Sequence, residues 1–498
     1  MAGFLDNFYL GFQIAFTATN VLYCFLGVFI GTLIGVLPGI GPVGTISLLL
    51  PITYGINPTS AVILLAGIYY GAQYGGSTTS ILVNIPGEAA SVVTCLDGYQ
   101  MARQGRAGPA LGIAAFGSFI AGTIGIIMVM FLSQPLSGIA LKFGPPEYFS
   151  LMVLALTILV YLSHGSVLKA ILMGCLGICL SLIGMDIVTG HLRFTFGITE
   201  LEDGVGLIPV VMGLFGVSEV LINLQESQEF EIFKGKVKGL LPNLKDWADS
   251  IGPIVRGTFL GFFLGILPGG GAIIASFMSY AVEKRVSRNP GKFGQGAIEG
   301  VAGPEAANNA ASEGAFIPLF VLGIPANAIM ALLLGALMIH GLQPGPLLIK
   351  EHPEIFWGTI ASMYLGNVML IILNLPLIGL WIKLLRTPYW ILFPLILFFC
   401  AIGSYSINNS IFDILIMSFF GLVGYFFRKF RYEPAPLIMA FILGPMLEKS
   451  LRQSFLMSQG DFSIFFTRSI SAGCLILSVL ISFSAIFFSK YRRIIPLR

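Results

Sequence analysis

From Asn7 to Gly87 the chain carries no Asp, Glu, Lys, Arg or His, yet within it "GTLIGVLPGIGPVGT", Gly31 to Thr45, holds five glycines and two prolines. A membrane-spanning helix needs about 20 apolar residues, so an uncharged region of this length holds several spans and is no water-facing surface. Composition agrees: 10% of residues are charged and 56% hydrophobic, against roughly a quarter charged in ordinary soluble domains. The expected fold class is an all-α polytopic membrane protein with about 10–12 transmembrane segments. The Gly-Pro run is the exception to explain, because it breaks a helix where lipid offers the backbone no hydrogen-bond partner.

Several function classes drop out early. A formal net charge of +3 is too small to argue for nucleic acid. Cys175 and Cys179 share a helix face, but no neighbouring Cys or His completes a metal set, so the cysteines read as packing residues and no metal site is expected. "GIGPVG" (Gly39–Gly44) matches a dinucleotide fingerprint literally but lacks the strand–helix context and the acid about 20 residues on. There is no P-loop, no His-Glu-x-x-His and no Gly-x-Ser-x-Gly, so neither an ATP-driven pump nor an enzyme is expected, and no catalytic residue is assigned. The four histidines (164, 191, 340, 352) are scattered. The N-terminus lacks the basic start of a cleavable signal.

Full-length spans are predicted at 17–36, 109–132, 147–163, 165–183, 205–223, 355–382, 388–405, 408–427 and 468–490. The stretches 45–87, 252–283 and 296–345 are apolar but rich in Gly, Pro, Ser, Thr and Asn, and read as shorter or broken segments. The most polar stretch, Gln225–Ser250, divides the chain into a first transmembrane half, 1–224, a linker, 225–250, and a second half, 251–498.

The halves resemble each other. "GTLIGVLPG" (Gly31–Gly39) returns as "GFFLGILPG" (Gly261–Gly269), 230 positions on. Asn57-Pro58 recurs as Asn289-Pro290, Ile85-Pro86 as Ile324-Pro325, and Gly108-Pro109 as Gly345-Pro346. Four landmarks in one order define a duplicated core, 25–115 and 256–350. In the second copy the basic cluster sits at the Asn-Pro landmark; in the first, Arg103 and Arg106 sit at the opposite end. Cytoplasmic loops are enriched in Lys and Arg, so the copies are predicted to be inverted, an architecture of secondary transporters with broken or re-entrant helices.

A helix that restarts at membrane depth offers its free N–H groups and partial positive charge to an anion. Candidate anion-binding backbone is therefore Pro38, Gly39 and Gly41 in one copy and Pro268, Gly269 and Gly270 in the other. A lone Gly-x-x-x-Gly such as Gly31/Gly35 reads instead as close helix packing. Helical spacing puts Tyr70, Gln73, Tyr74 and Ser77 on one face, and Glu305, Asn308, Asn309 and Ser312 on another at a constant offset of 235. Candidate side-chain donors are Ser77, Thr78, Ser80 and Asn84, with Asn308, Asn309, Ser312 and Asn327. Glu305 and Glu313 are candidate coupling-ion ligands, because intramembrane carboxylates are costly and usually face a functional cavity.

At these residues the sequence resembles the TctA family, the large membrane subunits of bacterial tripartite tricarboxylate transporters. The resemblance is carried by "GTLIGVLPGIGPVGTISLLLP", "GIYYGAQYGGSTTSILVNIPGEAASV", "LDGYQMARQGRAGPALGIAA" and "GPEAANNAASEGAFIPLFVLGIPANAIMALLLGALMIHGLQPGP". One departure is Pro325-Ala326, where the family usually has Pro-Gly. The resemblance implies a multi-pass carrier of the bacterial inner membrane, importing citrate-like tricarboxylates or other carboxylates on a Na+ or H+ gradient. It also implies a small TctB-like membrane subunit and a periplasmic TctC-like solute-binding protein as partners, and no cofactor. A channel, or a carrier of another small organic anion, is the alternative. Inverted copies place Asn57 in the periplasm, and Arg103, the 225–250 linker, Arg288 and the C-terminus in the cytoplasm. Cysteine labelling from outside is expected to modify Asn57→Cys strongly and Arg288→Cys not at all.

Overall fold

A computed structural model describes residues 2–37, 41–162, 166–186, 189–225, 239–269, 271–385 and 389–492. After α1 (Ala2–Ala15), the first copy contributes α2 (Ala18–Val36), α3 (Gly41–Thr53), α4 (Pro58–Val83), α5 (Val92–Arg103) and α6 (Ala107–Ala140). Then follow α7 (Pro145–Leu162), α8 (Val167–Ser181), a small antiparallel ribbon β1 (Gly184–Met185) and β2 (Leu192–Arg193), α9 (Leu207–Val211) and α10 (Ser218–Gln225). The second copy contributes α11 (Leu244–Ile266), α12 (Gly271–Val286), α13 (Glu299–Gly314), α14 (Ala328–Ile339), α15 (Pro346–Glu351) and α16 (Pro353–Asn374). The chain ends with α17 (Ile378–Leu384), α18 (Tyr389–Asn408), α19 (Ile411–Lys429), α20 (Ala435–Met457), α21 (Ile464–Thr467) and α22 (Ser469–Arg492). The molecule is an all-α polytopic membrane protein. Among the described residues, six helices are long and apolar enough to cross a bilayer by themselves; the others are shorter, broken, or carry too much charge.

Glycines set the central packing. Helix α2 lies along α4 with Gly27 against Gly67, Gly31 against Ile68 and Gly35 against Ala72 and Gly76, so paired positions rise together and the helices are parallel. A Cβ on Gly31 would stand 2.5 Å from the Ile68 carbonyl oxygen. Helices α11 and α13 repeat this: Gly257 faces Gly303, Gly261 faces Ala307 and Gly265 faces Ala311. Because the flanking helices are parallel, α3 and α12 must turn back between them. Each copy therefore holds a re-entrant hairpin, α2–α3 and α11–α12. Arg256 of α11 and Glu283 of α12 close the second hairpin at its open end, through Nε–Oε1 at 2.9 Å and a second nitrogen at 2.5 Å.

Between copies, Gln73 meets Ser312 and Ser77 meets Glu305. Here α4 numbers rise as α13 numbers fall, so the long helices are antiparallel and the copies are inverted. The end predicted to be cytoplasmic is gathered on one face, where Arg106 pairs with Asp246 and Gln104 donates to the Gln295 carbonyl at 2.7 Å. Asp97 of α5 is fully buried there and accepts from the backbone N–H groups of Gly294, Gly296 and Ala297 at 2.7–2.9 Å and from the Tyr280 hydroxyl.

Two predicted spans differ, and one helix is not foreseen. The span predicted at 109–132 continues to Ala140. The span at 355–382 breaks after Asn374, where Trp381 Nε1 donates to the Leu373 carbonyl at 2.8 Å and starts a short separate helix. Helix α20 went unpredicted because Glu448, Lys449 and Arg452 interrupt its apolar run; Arg193 and Arg452 share Glu448 and Asp186 at that end, so the charges are neutralised at the surface. By contrast α4 is unbroken and buried from Thr59 to Val83 despite its Gly, Ser and Thr.

Replacing Gly31 or Gly261 by Leu is expected to destabilise the protein by at least about 1–3 kcal/mol, the usual cost of overpacking. Gly174→Leu, where a Cβ meets nothing within 4 Å, serves as the neutral control. Thermal unfolding in detergent micelles reads both.

Candidate functional site: a cavity at the hairpin tips

The two hairpins turn within reach of one another, and their tips line a cavity of about 510 Å3. At the first tip α2 ends on extended Leu37 (φ −87°, ψ 107°) and α3 starts at Gly41 with φ +65°. The carbonyl of Val36, released by the break, accepts from Thr79 Oγ1 at 2.8 Å. At the second tip Leu267 is extended (φ −78°, ψ 128°), and Gly269 and Gly271 take φ of +78° and +45°, a region open to glycine at little cost. Gly269 N–H donates to the Ala326 carbonyl at 2.8 Å, joining this tip to the second copy's later break.

That later break is symmetric too. Helix α4 stops on left-handed Asn84 (φ 60°), and the helical run after α13 stops on left-handed Gly323 (φ 69°). Past these stops, Glu88 caps the turn Ala89–Ser91 and Asn327 caps α14, its Oδ1 accepting from Met330 N at 2.9 Å. Gly87 lies against Gly35 and Gly76 so closely that a Cβ would sit 2.7 Å from the Gly76 Cα. Its counterpart Ala326 is fully buried without a positive φ, so the Pro-Ala departure is accommodated.

The cavity is thus lined by the first turns of α3 (Gly41–Gly44), α12 (Gly271–Ile274) and α14 (to Ile329), with Glu88, Ala89 and Asn327 beside them. Three helix N-termini aim partial positive charge at one space, each contributing about 0.3–1 kcal/mol toward an anion and up to about 2 when partly buried. Side-chain donors are few. Asn327 Nδ2 donates to the Tyr69 hydroxyl at 3.1 Å. The Gln73 amide satisfies its surroundings when its nitrogen faces Glu88 Oε1 (2.6 Å) and Asn308 Oδ1 (2.7 Å) and its oxygen accepts from Ser312 Oγ (3.0 Å). Leu159, Leu162 and Phe215 form the apolar wall, and Glu219, Arg428 and Glu433 complete the lining.

A family model described as the tripartite tricarboxylate transporter TctA family matches residues 21–439. The chain belongs to the TctA family. Among its relatives, an uncharacterized 52.8 kDa protein in the TAR-I ttuC' 3' region of Agrobacterium vitis is 52% identical over 475 residues, 95% of each chain. An uncharacterized protein in the TAR-II ttuC' 3' region of the same organism is 55% identical over 215 residues, covering 43% of this chain and 89% of that one. No solved structure matches. The match takes in both copies, so the hairpin tips and the cavity lie wholly within the family's span.

Of the residues singled out from sequence, Gly41, Gly269 and Asn327 line the cavity, while Pro38, Gly39 and Gly270 lie outside the described residues. Pro268 lines a separate, almost wholly apolar cavity of about 270 Å3 with Leu267, Ile266 and Ile324. Asn308 and Ser312 stand one layer behind, holding Gln73 and Glu88; Asn308 Nδ2 donates to Glu88 Oε1 at 3.1 Å. Deeper still, Glu305 is fully buried, with the Ser77 hydroxyl 2.5 Å from one carboxylate oxygen and the Thr94 hydroxyl on the other. Ser80 bonds Ser91 at 2.9 Å, Asn309 turns away to Ser118 at 2.7 Å, and Thr78 faces a small gap toward α6. Asn84 is exposed as a helix stop. Glu313 is buried against Gly125, and its Oε2 meets no hydrogen-bond partner. Among the described residues, no group of three or more His, Cys, Asp or Glu could hold a metal.

Tyr69, Glu88, Glu219, Arg428 and Glu433 carry no signal in the sequence pattern, and Gln73 stands out only as one member of the polar α4 face. A constant-offset alignment of the copies flagged the α4 face that includes Gln73, but only contacts between copies tell which turn of that face meets the cavity. Gln73→Leu is expected to weaken apparent substrate affinity about tenfold, equivalent to 1.4 kcal/mol. Ser77→Ala is expected to lower folding stability by about 1–3 kcal/mol, because it strips a partner from buried Glu305, and to change affinity less than Gln73→Leu does. Uptake kinetics and thermal unfolding separate the two.

Proposed function

We propose that the chain is the membrane-embedded carrier of a tripartite transporter in the bacterial inner membrane. In this reading it imports a citrate-like tricarboxylate or another carboxylate, delivered by a periplasmic solute-binding protein and assisted by a small membrane subunit. The observation that carries it is the convergence of three helix N-termini from inverted copies on one cavity. Backbone N–H groups suit a carboxylate, and inverted hairpins meeting tip to tip suit a site reached from either side in turn. Membership of a family named for tripartite tricarboxylate transport supports the same reading, as does the place of two relatives beside ttuC'.

The lining also argues for coupling. It holds three carboxylates, Glu88, Glu219 and Glu433, against one guanidinium, Arg428. Helix termini worth a few kcal/mol together do not offset both that charge and a multiply charged anion. Cations entering with the substrate do, which makes uptake on a Na+ or H+ gradient the natural mode. Glu313, with an oxygen free of hydrogen-bond donors, and Glu305 are the buried candidates for such a cation. A channel is disfavoured, since it needs no inverted pair of hairpins around a single site.

Reconstituted alone in proteoliposomes, the chain is expected to give background citrate uptake. Adding the small subunit and the citrate-loaded binding protein is expected to raise uptake at least tenfold, and dissipating the Na+ and H+ gradients to abolish it. Full-rate, gradient-independent flux through the single chain would show a channel instead.

A further inference from the structure

Arg428 would ordinarily be read as one of the positive charges that fix a cytoplasmic helix end. Its position says more. Among the described residues it is the one Lys or Arg that lines the cavity at the hairpin tips, and it pairs there with Glu219, which lines the same cavity. Neither is deeply exposed: the Arg428 side chain retains 31% of its accessible surface and Glu219 18%.

The two charges are placed by unusual backbone and tight packing. Residues Met212–Val217, between α9 and α10, wind in wide π-type turns, a distortion frequent at functional sites. They bring Phe215 and Glu219, one turn apart, onto the cavity wall together. Helix α19 is packed directly against this stretch, Gly213 on Met417, Gly421 on Val217 and Gly424 on Leu214 and Ser218. Arg428, two turns beyond Gly421, is thereby delivered to the cavity by a helix that cannot draw back without opening those contacts. Lys429, next to it, is not on the lining.

We propose that Arg428 is a substrate-binding residue that holds one carboxylate group of a polycarboxylate, taken in exchange for Glu219. The proposal rests on the carboxylate-carrier reading above and adds to it the residue that counts carboxylates. A guanidinium presents two parallel N–H donors that match a carboxylate, and an ammonium does not. One carboxylate of the substrate lies at the helix N-termini and a second reaches Arg428. A monocarboxylate satisfies only the first. Glu219 occupies the fork in the substrate's stead and competes with it; once displaced it leaves a carboxylate to be neutralised, which ties substrate entry to a cation or a proton.

The test is calorimetric titration of the purified full-length chain with citrate, succinate and acetate. Arg428→Gln is expected to weaken citrate and succinate binding at least tenfold and to leave acetate unchanged, with Arg428→Lys in between. Glu219→Gln, which removes the competitor, is expected to tighten citrate severalfold. A pair that served only to hold the fold would make Arg428→Gln and Glu219→Gln fail alike, in thermal unfolding and in affinity; that result, or wild-type citrate affinity in a folded Arg428→Gln protein, overturns the proposal. Wild-type protein that binds none of the three, with or without the small membrane subunit, and supports no citrate uptake in the reconstituted system overturns the carrier reading itself. Citrate binding by the wild type with no response to either substitution overturns only the role of Arg428.

Discussion

Two helices that are not neighbours in sequence, yet lie parallel at glycine-to-backbone distance, force the chain between them to reverse. This is the constraint on which the rest of the protein depends. Gly27, Gly31 and Gly35 bring α2 onto α4, and Gly257, Gly261 and Gly265 bring α11 onto α13. With those contacts made, α3 and α12 have no course except back toward the face they came from. The reversal falls inside the protein, where the open ends of helices find partners, Thr79 for Val36 and Ala326 for Gly269. In lipid the same open ends would each cost several kcal/mol.

Electrostatics follows from that arrangement. Three of the four breaks leave helix starts aimed at the shared space, so the backbone supplies the positive character that the hairpin tips, without Lys or Arg, lack. The side chains then run the other way, with Glu88 held by Gln73 and Asn308 on the wall and Glu305 held by Ser77 and Thr94 behind it. A cavity with positive backbone and negative side chains is suited to an anion and cations together, and poorly suited to either alone.

Much of this was legible in the chain. The repeat, the inversion, a break after α2 and another after α11, and the packing role of Gly31 and Gly35 all follow from spacing, glycine placement and the position of basic clusters; that Gly41–Gly44 already belong to α3 does not. Depth was not. Helical periodicity put Ser77, Asn308 and Ser312 on inward faces, but α4 and α13 are buried all round, so no exposed face remains to orient them. Asn84 was read as a donor because it is polar; its counterpart at the aligned position is Gly323, and what Asn and Gly share is tolerance of the left-handed region, which marks a helix stop. Glu219, Arg428 and Glu433 escaped because they lie outside the repeat, where no second copy marks them; Glu219 is set within an apolar span, and Arg428 and Glu433 at the charged junction of α19 and α20.

The bonds that cross between copies carry a mechanical consequence. Asp97 clasps the loop of Gly294, Gly296 and Ala297, Ser77 and Thr94 bind Glu305, Gln73 reaches Ser312, and Arg106 holds Asp246. Most of these are buried, and sliding one copy past the other would break them in a single step. The outer helices are tied among themselves instead, Glu147 of α7 to Arg468 before α22, and the β-ribbon to α20 through Arg193, Glu448, Arg452 and Asp186. Motion confined to the outer helices therefore leaves the bonds between the copies intact, whereas any shift of one copy against the other breaks the whole set together.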